Sequence, residues 1–122
     1  MIHKLLAISF LLLLFGCATV PPEQNPPKEE PKFVVRTDQD SIEVGKLLFD
    51  SRCRKCHDPY KDVGFPVGLH GILKKKSLPV SGKPATPENI AKQIRHPFYE
   101  MPEFTDLSDD DILDLIAYLN TL

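Results

Sequence analysis

Cys53-Arg54-Lys55-Cys56-His57 is the stretch on which the reading of this chain turns. Two cysteines separated by two residues, with histidine directly after the second, is the attachment spacing for c-type haem. The spacing has a chemical reason. Two thiols on one turn of backbone can each add across a vinyl group of one porphyrin. The residue after them can then offer an imidazole nitrogen to the iron. A Cys53–Cys56 disulfide and a Cys/Cys/His zinc site are the rival readings. A redox Cys-x-x-Cys belongs at a strand–helix junction in a βαβ setting, and no such pattern surrounds this one. A zinc site needs a fourth ligand, and beyond the leader only His70 and His96 remain, without metal-like spacing.

Working outward, the 122 residues make one domain with appendages. The formal net charge of −2 suggests no nucleic-acid role. The three cysteines can each be given a separate task, so none is left for a disulfide framework. Tryptophan is absent and aromatics are few. A small domain with so thin a core needs a staple, and a covalently held porphyrin would supply one.

Residues 1–16 read as a leader outside the fold. Lys4 gives a positive start, and Leu5 to Phe15 is an apolar run shorter than the about 20 residues of a bilayer span. Leu14-Phe15-Gly16-Cys17 resembles the lipobox of bacterial lipoproteins, with Phe15 departing from the usual small or aliphatic residue. That resemblance implies diacylation of Cys17 at the mature N-terminus, and two or more acyl chains anchor a protein stably. With Ala18 next, the sorting rule of Gram-negative lipoproteins points to the periplasmic side of the outer membrane. An ordinary secretory signal with an incidental cysteine is the plainer alternative.

Residues 17–38 then read as a lipidated start and a linker. Prolines at 21, 22, 26, 27 and 31 alternate with Glu and Lys, a composition that cannot bury enough apolar area to order itself. Polyproline II there would reach about 60 Å at most. Phe33-Val34-Val35 is a small apolar cluster that could tack onto the domain.

The domain proper is expected over 39–122. A first helix is expected over Ser41–Arg52, capped by Asp40 or Ser41, with Asp40 and Glu43 as an approximate capping box. Its apolar face would be Val44, Leu47 and Leu48. Gly45 interrupts it, a residue that costs a helix interior about 1 kcal/mol and suggests a close neighbour. Residues 58–86 hold Pro59, Gly64, Pro66, Gly68, Gly71, Pro79, Gly82 and Pro84, so they read as a long loop wrapped round something. Lys74-Lys75-Lys76 in that loop is either a solvated turn or a docking patch for an acidic partner. Thr86-Pro87-Glu88 starts a second helix, which Pro97 ends near Arg95. Ser108 caps a third, where Ile112, Leu115, Ile116 and Leu119 form an amphipathic stripe. No strand pattern of any length appears, so the fold class is all-α.

The order of these parts resembles a class I, monohaem cytochrome c over about residues 40–122. The resemblance rests on Gly45 and Phe49, on Cys53, Cys56 and His57, on the Pro/Gly/Leu loop from Phe65 to Gly71, on Met101-Pro102, and on Leu115-Ile116-Ala117-Tyr118-Leu119. It implies three main helices with long loops round one covalent haem c on Cys53 and Cys56. It also implies His57 as proximal and Met101 as distal axial ligand, with the first and last helices crossing at Gly45. The family often has Gly-Pro-x-Leu after the haem motif, the proline carbonyl accepting the histidine N–H. Here Pro66-Val67-Gly68-Leu69 has one residue too many, so Pro66 or a neighbour would accept.

In function, this resemblance implies a monomeric carrier of single electrons, not an enzyme, and the lipobox resemblance adds a lipid anchor at Cys17. Its partners would be redox proteins and membrane respiratory or photosynthetic complexes. One alternative is an electron-transfer subunit of a larger dehydrogenase or reductase. Another is a haem sensor or enzyme with an open sixth position, using His96 or Tyr99 as distal group.

Overall fold

The computed structural model describes residues 33–122. The leader over 1–16, Cys17 and most of the Pro-rich linker lie outside the described residues. Three helices carry the domain: α1 over Gln39–Arg52, α2 over Pro87–Arg95 and α3 over Asp109–Leu119. The fold is all-α, as expected. Among the described residues the one β pairing is an isolated bridge between Ser77 and Pro84.

Helix α1 starts two residues earlier than the sequence suggested. Its cap is Asp38, whose carboxylate accepts the Ser41 N–H at 2.9 Å and satisfies an otherwise orphaned donor. Asp40 sits inside the first turn, and Glu43 takes the Gln39 amide instead of closing a box with Asp40. The expected apolar face is also corrected. Val44 is 42% exposed and Leu47 69%. The buried line is Ser41, Gly45 and Phe49, four residues apart, with Leu48 partly covered beside it. At the middle of that line Gly45 has no side chain because α3 lies directly on it.

The crossing is at Gly45. A Cβ built there would lie 1.9 Å from the Asp114 carbonyl oxygen and 3.0 Å from the Tyr118 Cβ. Only a residue without a side chain lets the two backbones approach so closely. One turn on, the Phe49 and Tyr118 rings pack tilted at 52° with centroids 5.3 Å apart. The stripe of α3 is buried as its period demands, at Ile112, Leu115, Ile116 and Leu119, and Ala117 and Tyr118 are buried with it. Ser108 and Asp111 close a capping box at its start. Thr86 caps α2, with Pro87 at the first helical position, and Ile90, Ala91 and Ile94 face inward.

Phe33 and Val35 pack against the core formed by these helices. Arg36 fastens that segment to α3, donating to Asp114 at 2.8 Å and to Asp110. Phe33 and Val35 of the small apolar cluster thus tack onto the domain, while Val34 between them is exposed.

Candidate functional site

Helix α1 runs straight into the cysteine motif. The N–H groups of Cys53 and Arg54 both donate to the Phe49 carbonyl, at 2.8 and 2.9 Å. Those of Cys56 and His57 both donate to the Cys53 carbonyl, at 3.0 and 2.9 Å. These paired bonds wind the motif into one tight turn. Cys53 is half-buried, Cys56 is exposed, and both are free thiols. Burial pushes the Cys53 thiol up to about 11, so it stays a neutral, apolar-like group in the wall at neutral pH.

The next segment folds back to hold His57. Its Nδ1 lies 2.7 Å from the Val67 carbonyl oxygen. With Nδ1–H donating there, Nε2 is left as the basic nitrogen. The acceptor is therefore the neighbour of Pro66, which absorbs the extra residue noted in the sequence. Two backbone bonds make the fold-back: Leu69 N–H to Asp58 O at 2.9 Å, and His70 N–H to Lys61 O at 2.8 Å. Gly68 is buried between the two arms of this turn. A Cβ on it would stand 2.4 Å from the Lys61 carbonyl oxygen. Glycine here is what brings the Val67 carbonyl within reach of the imidazole. The Pro-x-Gly run was visible in the sequence, but its long-range contact with Lys61 was not.

Cys53, Cys56 and His57 stand at the edge of an apolar slot of about 260 Å³. Phe49, Leu115 and Leu119 from α1 and α3 line it, with Ile90 and Ile94 from α2. The long loop supplies Ile72, Leu78 and Val80. The breaker-rich loop therefore wraps the slot, with a short 3₁₀ turn over Ile72–Lys74 as its one regular piece. The segment after α2 contributes Phe98, Met101 and Phe104. Met101 is half-buried and packs against the core. His96 and His70 are exposed, and neither lines the slot. Met101 and His57 are the side chains there with a sulfur or nitrogen suited to an axial position, apart from the two motif cysteines.

The donor set fits a covalently held porphyrin. Two free thiols sit on one turn, an oriented imidazole comes next, and the walls are almost wholly apolar. It fits zinc poorly: among the described residues no three His, Cys, Asp or Glu side chains converge on a point that could hold a metal ion. Two residues that the sequence did not single out also belong to the surroundings. Arg52 lines the slot beside Cys53, and Arg95 ends α2 and donates to Leu107 and Asp109 beyond Met101. Neither position carries a local pattern that would have found it. No helix among the described residues is long and apolar enough to cross a membrane.

The family model described as cytochrome C oxidase, cbb3-type, subunit III matches residues 40–119, nearly the whole described domain. No curated protein and no solved structure matches the chain.

Proposed function

Because the chain belongs to the cytochrome C oxidase, cbb3-type, subunit III family, a c-type cytochrome carrying covalently bound haem c, we propose that it passes single electrons through an iron held between His57 and Met101. When bound, the haem supplies a one-electron ferric/ferrous couple. The chain's own residues do the rest. Cys53 and Cys56 fix the ring in the slot by thioether bonds. Val67 holds His57 in the tautomer whose Nε2 can bind iron. Met101, which lines the same slot, would offer a neutral thioether to the iron, a ligand that favours the reduced state and raises the potential. With His57 and Met101 both holding the iron, no site would be left on it for a substrate, and the group would carry charge rather than turn over chemistry.

One observation carries this reading: His57, oriented by Val67, and Met101 line the same apolar slot, and both other described imidazoles are exposed outside it. The test is an optical potentiometric titration of the matured protein. A single reversible one-electron wave, with an iron–thioether charge-transfer band in the ferric form, is the expected result. High-spin ferric haem that binds cyanide or imidazole without competition would defeat it in favour of the open-site sensor or enzyme.

The family's description favours a second reading, in which this chain serves as an electron-transfer subunit of a membrane respiratory complex. Co-purification in mild detergent separates that from a free shuttle, since a shuttle would leave the complex on washing.

Anchoring through Cys17 on the periplasmic side of a bacterial membrane completes the proposal. A tether keeps the domain at high effective concentration near membrane partners. Cys17→Ser is expected to release a water-soluble protein, or stall its processing, with the haem spectrum unchanged. Intact-mass measurement of the native protein checks it, because a wild-type mass without acyl groups would remove the anchor.

A further inference from the structure

We propose that Arg95, seconded by Arg52, is a positioning residue that holds the Met101 segment closed over the slot; the proposal rests on Met101 being the iron's ligand. Between α2 and α3 the chain has little support of its own. Its one internal backbone hydrogen bond, from Met101 N–H to the Phe98 carbonyl, is long at 3.4 Å. Tyr99 is 84% exposed and sits in the left-handed region with φ 54°. A segment with so few internal bonds takes its shape from what grips its ends.

Arg95 grips both ends at once. It is the last residue of α2, so its backbone begins the segment. Its guanidinium reaches twelve residues on, Nη1 donating to the Leu107 carbonyl at 2.8 Å and Nη2 to Asp109 at the start of α3. The planar fork of arginine suits this double grip, and lysine cannot reproduce it. Leu107 is buried, so loss of the Nη1 bond would strand a carbonyl beside the core. From the other wall, Arg52 donates to Asp106 at 2.6 Å. Arg52 directly precedes Cys53 and itself lines the slot, so this second pair ties the end of the Met101 segment to the haem-attachment end of α1. A thioether is a weak, neutral ligand. Its hold on iron depends on how seldom its segment opens.

The experiment is imidazole titration of the full-length ferric holoprotein, followed by the iron–thioether charge-transfer band. Arg95→Leu is expected to tighten apparent imidazole binding about tenfold, the equivalent of one charge-assisted hydrogen bond. Arg95→Lys should fall between it and wild type. Asp106→Asn should give a smaller shift, about threefold, as befits an exposed pair. Arg36→Gln removes two ion pairs with α3 without touching the segment, and should leave imidazole binding unchanged even where it lowers the melting temperature. Should Arg95→Leu fail to mature, Arg95→Lys and Asp106→Asn still decide. Wild-type binding in both overturns the proposal, and so does an equal shift in Arg36→Gln. Met101→Ala sets the upper limit of imidazole binding. If that variant keeps the wild-type spectrum, the ligand reading has failed and the brace is overturned with it, whereas wild-type binding in the arginine and Asp106 variants overturns the brace alone.

Discussion

Gly45→Ala is expected to destabilise the domain by about 3 kcal/mol or more, although alanine is the better helix former. A methyl group there has nowhere to go. It would overlap the Asp114 carbonyl oxygen at 1.9 Å, and that oxygen belongs to the backbone of α3, not to a side chain that can rotate away. The helix-propensity gain of about 1 kcal/mol does not offset a forced separation of two packed helices. With a total stability on the order of 5–15 kcal/mol, such a loss is a large share of what holds the fold. Denaturant unfolding of the holoprotein measures it. Thermal denaturation adds a second readout, because the Phe49–Tyr118 contact should loosen with the crossing. A change in stability of under about 1 kcal/mol would mean that the crossing is looser than its geometry implies.

Met101→Ala is expected to change function most. The ferric protein should lose its iron–thioether charge-transfer band, bind added imidazole readily, and fall in potential by a good part of the about 0.8 V that axial ligands span. Met101→His should restore a low-spin iron at a lower potential than wild type, since imidazole does not favour the ferrous state as a thioether does. The comparison variant is His96→Ala, expected to be silent because His96 is exposed and outside the slot. An unchanged spectrum in Met101→Ala together with an altered one in His96→Ala would transfer the ligand role to His96, and the high potential would go with it.

How much the sequence could reveal depended on whether the deciding contact was local. The caps of α2 and α3 were readable because Thr86-Pro87 and Ser108 act within one turn. The stripe of α3 was readable because its four large apolar residues all point one way. On α1 the same reasoning failed. Val44 and Leu47 are apolar yet largely exposed, whereas burial there goes to Phe49 and to Ser41 and Gly45, two small residues on the same line. Residue type predicts which side chains prefer to be covered, but a close backbone crossing selects for size. Asp38 is not distinguishable as the cap by sequence, because Asp40 and Ser41 offer equally good capping chemistry two and three residues later. At the site, the turn of the cysteine motif was written in its spacing. The Val67 acceptor was not, since it depends on Gly68 meeting Lys61 across a fold-back that no local pattern announces. The ion pairs of Arg52 and Arg95 were equally hidden, being side-chain reaches of fifty-four and fourteen residues.

The meeting of α1 and α3 at Gly45 also has a bearing on when this domain can exist. Its closest helix pair joins segments from opposite ends of the domain, with the whole slot-lining loop and α2 between them. Such distant pairings are slow to form, because the intervening chain must give up its freedom before any contact rewards it. A growing polypeptide that has emerged only as far as α2 has the cysteine turn but no lid for the Gly45 face. Until Asp114 and Tyr118 arrive, the slot lacks Leu115 and Leu119, and the motif stands open to solvent. Assembly of the slot is thus postponed until α3 has emerged. For the same reason, a nascent chain arrested before α3 would offer its two thiols freely to whatever machinery attaches the porphyrin.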